Sequence, residues 1–161
     1  MIRITQDSGN RKVFIKIERM ADDILSEIEK AYWEVGHLLR NYLRKGLRFG
    51  ARKGNWYTHY NPITGKEFRR RSSAPGEFPQ RITGTLRGAV VFKVISYKQL
   101  IFGIKNPSKG KDTSYAIGLE EGIPGLLKKR KLVGYTVNRM HQQTKNLLIK
   151  RLNKAVKELW N

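Results

Sequence analysis

The side chains able to carry chemistry in this chain are few and scattered. Three histidines occur, His37, His59 and His141. None has a second histidine at metal-ligand spacing, and no carboxylate cluster accompanies any of them. There are no cysteines, which removes disulfides, thiolate nucleophiles and zinc sites built on Cys. A two-metal centre for phosphoryl transfer needs several converging acids. Beyond the first helical pattern, Glu120-Glu121 is the one adjacent acidic pair. Gly65-Lys66 and Gly110-Lys111 are Gly-Lys pairs, but neither stands between a strand and a helix as a phosphate-cradling loop requires. No enzyme, cofactor or metal is therefore expected. What remains is positive charge: Lys and Arg number 33 against 13 acids, a net charge of +20. Such a balance favours a polyanionic partner: nucleic acid, an anionic membrane surface or an acidic protein surface. The alternative is that the charge serves solubility alone.

The cations concentrate in two loop-like stretches. The first holds Arg48, Arg52, Lys53, Lys66, Arg69, Arg70 and Arg71 around the aromatic run Trp56-Tyr57-Thr58-His59-Tyr60. The turn residues Asn61-Pro62-Ile63-Thr64-Gly65 mark the tip of a protruding β-hairpin or loop there. Aromatics interleaved with cations suit stacking on bases and gripping phosphates. Packing of those aromatics on a helix is the competing reading. The second stretch is Lys128-Lys129-Arg130-Lys131. Arg81 and Arg87 lie between the two, and all of these cations except Lys66 are taken as candidate contacts to a neighbouring subunit or to DNA.

The elements that must position them fit one α+β domain over residues 1–161, a small and mostly antiparallel sheet with helices against one face. Arg11 to Ile17, with Val13, Ile15 and Ile17 on one face, has the alternation of a strand. From Met20 to Leu47 the period changes to that of a helix. Ile24, Ile28, Ala31, Val35, Leu38 and Tyr42 form its stripe, beside Leu25, Tyr32, Leu39 and Leu43. Gly46 and Gly50 mark its exit. At this length the helix spans roughly 40 Å, more than a small sheet needs, and the excess is available to another subunit. Residues 49–82 make the basic hairpin arm and residues 83–122 the sheet core. Within that core, Val90–Ile95 and Leu100–Ile104 are hairpin strands, and Ser114–Gly122 is a short helix ended by Gly122. The closing helix runs from Asn138 to Trp160, with Met140, Thr144, Leu147, Leu148, Leu152, Ala155 and Leu159 on its apolar face. Its basic opposite face suits an anionic surface; its apolar face suits packing on the sheet. The N-terminus has no apolar signal segment, and no run approaches the ~18 apolar residues of a membrane span, so synthesis in a cytoplasm is expected.

The stretch from Ala74 to Gly88 is a connector rather than an active loop. Pro75 and Pro79 fix its direction, and Thr83 is placed to cap a short helical turn. Its one acid is Glu77.

The order of motifs resembles the small head–tail connector proteins of tailed bacteriophages, also called neck, tail-completion or minor tail proteins. Pro79-x-x-x-Thr83-Gly84-x-Leu86-Arg87 is similar to that family's proline followed by T-G-x-L-R and a hydrophobic strand. Tyr115-Ala116 with Leu119-Glu120-x-Gly122 is similar to its Y-A-x-x-x-E-x-G segment, and Gly103 falls where the family has an I-G strand. Ile123 stands where a threonine is common, and Leu126–Leu132 lacks the proline-aromatic-leucine motif that commonly precedes the last helix. The resemblance implies a structural virion protein of the neck. It would form a homo-oligomeric ring between a portal or adaptor protein and the tail terminator or tail tube, with double-stranded DNA passing through. A tail terminator ring is the close alternative. A basic nucleic-acid-binding module outside a virion is the more distant one.

Overall fold

The computed structural model describes residues 11–49, 53–61, 63–79, 84–105, 113, 115–124 and 128–160. Its elements are α1 (Arg11–Phe49), β1 (Trp56–Tyr60), β2 (Glu67–Arg71), α2 (Thr85–Gly88), β3 (Val90–Ser96), β4 (Gln99–Ile104), α3 (Tyr115–Glu121) and α4 (Val133–Trp160). The class is α+β, with two separate two-stranded antiparallel ribbons, β1–β2 and β3–β4.

Three expected boundaries are corrected. Residues 11–17 are not a strand but the first turns of α1, which runs for 39 residues, about 58 Å. A helix already nucleated downstream extends at the cost of one residue per hydrogen bond, and that outweighs a local alternation lacking a partner strand. The exit signal at Gly46 is likewise overrun, since α1 continues to Phe49. The closing helix starts at Val133, five residues before Asn138.

Every fourth residue of α1 from Ala31 is buried: Ala31, Val35, Leu39, Leu43 and Leu47. A four-residue step overshoots one turn by about 40°, so this row winds slowly round the helix. It therefore meets two different partners. Val35 and Leu39 pack with Met140, Leu147 and Leu148 of α4. Leu43 and Leu47 pack with Leu86, Val90, Ala116 and Leu132. Phe102 of β4 touches both clusters and joins them. The apolar face of α4 thus covers mainly α1, through Val35 and Leu39, and meets the β3–β4 ribbon at Leu100 and Phe102. The two helices run antiparallel, with Met140 beside Leu39 and Arg151 beside Glu27 and Glu34.

The β3–β4 ribbon lies on α1 through an aromatic ring set on a glycine. A Cβ added at Gly36 would meet the Phe92 ring at 2.2 Å. The ring is held there edge-on by His37 at 4.9 Å and Trp33 at 5.4 Å, with the Arg40 guanidinium 5.3 Å from its centroid. His37 is thus a packing residue on an exposed helix flank, and its Nδ1 faces Arg40 Nη2 at 3.0 Å. The ribbon turns tightly at Tyr97-Lys98, with Ser96 paired to Gln99.

In an open helix, Gly→Ala would stabilise by about 1 kcal/mol. Overpacking against a ring fixed by three neighbours costs about 1–3 kcal/mol. Gly36→Ala is therefore expected to lower the urea midpoint, with a net loss of about 1 kcal/mol. A raised midpoint would show that Phe92 does not rest on Gly36.

Candidate functional site

The sequence marked cations in two loops; the fold fastens both loops to the connector between them. At the base of the β1–β2 ribbon, Gly54 N–H donates to Ser72 C=O (3.0 Å), and Ser72 N–H donates to Asn55 C=O (2.9 Å). Arg71 Nε donates to Gly54 C=O at 2.9 Å. Just beyond, the Glu77 carboxylate accepts the backbone N–H of Ala74 at 2.7 Å and that of Lys53 at 3.1 Å. The Glu77 carbonyl accepts Lys131 N–H, and Gly76 N–H donates to the Lys129 carbonyl, both at 3.0 Å. Arg130 Nη2 adds a bond to the Ser73 carbonyl at 3.2 Å. Gly76 makes its turn at φ 74°, a left-handed conformation that favours glycine.

Glu77 was legible only as an isolated acid. It is the post to which both basic segments are tied. Its pKa is held below the ordinary carboxylate value first by the Ala74 N–H; burial opposes this, and the Lys53 N–H and the charges of Lys53 and Arg130 add to the lowering. Next to it, Phe78 anchors the connector on α1. A Cβ at Gly46 would meet the Phe78 ring at 2.6 Å. Tyr42 lies edge-on to that ring at 6.2 Å and Tyr135 at 5.7 Å. Gly46 is therefore a seat and not a stop signal.

The cations themselves fall into three groups. Arg69, Arg70 and Arg71 lie on β2, with Arg69 5.7 Å from the Trp56 centroid and Arg70 4.4 Å from that of Phe68. Lys128 and Lys129 are exposed, whereas Arg130 and Lys131 are half-buried and engaged, Lys131 Nζ lying 4.6 Å from the Tyr135 centroid. Arg48 is exposed at the end of α1, over the Phe49 ring at 4.7 Å. Arg52 and Arg81 lie outside the described residues, as does Thr83. The position before α2 is held by Gly84, at φ 88° and with no side-chain cap.

Arg87 belongs to a grouping the sequence did not reveal. It lies near Arg44, whose pKa is lowered first by burial and then by the charges of Arg40 and Arg87. Arg44 Nη2 donates to the Val90 carbonyl at 3.1 Å, but the buried Nε atoms of Arg40 and Arg44 have no hydrogen-bond partner. Arg151 of α4, by contrast, pairs with Glu34 and Glu27, and both carboxylates are held below their ordinary value, Glu34 first by its hydrogen bond from Arg151 and Glu27 first by its hydrogen bond from Lys30.

The acidic pair has a structural use. Glu120 accepts the N–H groups of Val133 and Gly134, the first two residues of α4. Leu132 before them offers no side-chain cap, so α3 supplies one from across the fold. Gly122, at φ 78°, ends α3 and releases the chain. Among the described residues, no group of three His, Asp or Glu could hold a metal ion, and no helix is long and apolar enough to cross a membrane.

No protein-family model, curated protein or solved structure matches this chain.

Two outcomes follow from the carboxylates. Glu120→Ala should cost about 0.5–2 kcal/mol, the value of a lost cap, read by chemical denaturation. Glu77 has a depressed folded pKa, so its contribution is present above the ordinary value of 4.5 and is lost as pH falls through the folded value. The difference in Tm between the parent and Glu77→Gln should accordingly be largest near neutrality and close up in acid. A gap that stays constant down to low pH would exclude ionic anchoring.

Proposed function

We propose that this chain is a structural protein of a tailed-bacteriophage neck. It assembles as a homo-oligomeric ring between a portal or adaptor protein and the tail terminator or tail tube, and double-stranded DNA passes through the ring. The observation that carries the reading is the convergence of the two motifs behind the resemblance. Leu86 of the T-G-x-L-R segment and Ala116 of the Y-A-x-x-x-E-x-G segment are buried in one cluster, with Leu119 against it. The motif glycines Gly84 and Gly122 both take the left-handed turn, and the motif glutamate Glu120 starts the last helix. The packing of both motifs into one core supports reading them together.

The rest of the molecule is compatible with that role. α1 is 39 residues long, and exposed apolar residues such as Ile17, Val91, Ile95 and Ile101 offer surface for subunit contact. A channel through which DNA slides gains nothing from tight grip, so much of the charge serves contacts between proteins. Contacts to many phosphates would show as a steep salt dependence.

Light scattering of the purified chain, alone and with portal and tail-tube proteins, tests the assignment together with immunodetection in purified virions. The expected result is a closed oligomer, alone or on its partner, and signal at the neck. Signal at the tail-tube end would reassign it as a terminator ring. A persistent monomer absent from particles would overturn the neck reading.

A further inference from the structure

One face of the β1–β2 ribbon leaves two aromatic rings largely open to solvent. Tyr57, His59 and Phe68 lie on the opposite, half-buried face, where His59 and Phe68 meet edge-on at 5.0 Å. Trp56 and Tyr60 are 60% and 57% exposed. They stand on the same side of one strand, about 13 Å apart along it. The register puts Arg71 opposite Trp56 and Arg69 opposite Thr58, so two guanidiniums share that face. Arg69 lies against the Trp56 ring. Lys53 and Lys66 are exposed at the two ends of the ribbon. The acid on this face is Glu67, opposite Tyr60.

We propose that this face binds single-stranded nucleic acid. Bases stack on Trp56 and Tyr60, and Arg69 and Arg71 hold the linking phosphates. Two accessible rings, with Arg69 between them and Arg71 beside the first, suit a strand whose bases are free; in a duplex the base faces are already stacked on one another. Glu67 biases the phosphates toward the Trp56 end. The tip supplies rigidity rather than contacts: Asn61 Oδ1 accepts the N–H groups of Ile63 (2.9 Å) and Thr64 (3.3 Å), and Gly65 turns at φ 67°. The site needs no ring and stands independently of the neck reading.

The test is titration of the full chain with oligo(dT), read by tryptophan fluorescence and by anisotropy of labelled oligonucleotide, against the matching duplex. Expected are quenching on binding and tighter binding to the single strand than to the duplex. Trp56→Ala should weaken binding about 5- to 150-fold, the range for one lost base–aromatic stack. Arg69→Gln with Arg71→Gln should lower the salt slope by about 1.4, at 0.7 per phosphate. Lys128→Gln with Lys129→Gln removes the same charge elsewhere and should retain the quench. Circular dichroism confirms that each variant is folded. Equal affinity for single strand and duplex, or indifference to Trp56→Ala, would overturn the site as a mere electrostatic surface. Burial of Trp56 through self-association, or binding to anionic vesicles in place of oligo(dT), would overturn it in favour of another occupant.

Discussion

Two aromatic rings lie against α1 because two of its residues have no side chain. Phe92 sits on Gly36 and Phe78 sits on Gly46, at approaches that any Cβ would forbid. Each glycine weakens an isolated helix by about 0.5–1 kcal/mol. Each lets a ring be half-buried against the helix, a fraction of the roughly 1.5–3 kcal/mol that complete burial is worth. The two effects are of similar size, and the seating of the rings decides the architecture. Phe92 sets the β3–β4 ribbon on the helix, and Phe78 sets the connector. The winding row from Ala31 to Leu47 then fills in between, toward α4 on one side and the α2–β3–α3 cluster on the other.

With Phe78 fixed, its neighbour Glu77 is fixed as well. This order of dependence explains how so many cations are held without many acids. The basic segments are not paired charge for charge. Their backbones are tied to a connector whose one carboxylate takes two N–H groups and whose carbonyls take more. Backbone bonds leave Lys128, Lys129 and Arg69 exposed at the surface while the segments that carry them stay in register.

Much of this was legible in the residues, and the misses share a cause. The stripe of α1, the β3–β4 strands, the turn at Tyr97-Lys98 and the end of α3 at Gly122 all follow from local pattern. The strand expected at 11–17 fails because alternation at Val13, Ile15 and Ile17 is a local signal, whereas helix propagation is cooperative along the chain. Gly46 reads as punctuation in the sequence because a glycine that stops a helix and one that admits a ring look alike without the ring. The start of α4 was hidden since its cap, Glu120, is 13 residues away. The candidate cations were visible from composition. Their fastening to Glu77 was not, because backbone hydrogen bonds between distant loops leave no mark on side-chain type. The exposure of Trp56 and Tyr60 was equally out of reach, since a strand's alternation tells which residues share a face but not which face is covered.

The arginines at positions 40, 44 and 87 carry a consequence for the medium in which the protein works. Arg40 and Arg44 share one shoulder of α1, Arg87 comes from α2, and burial and mutual repulsion both act against the Arg44 charge. Among the described residues no carboxylate pairs with these three, and where a protein supplies no counter-ion the solution does. Mobile anions gather at such a shoulder and screen it within about a Debye length, close to 8 Å at physiological ionic strength. The dissolved salt then behaves as a loosely held component of the fold, thinned by dilution and enriched by concentration. A molecule with a net charge of +20 is in this sense only fully composed together with its ionic atmosphere.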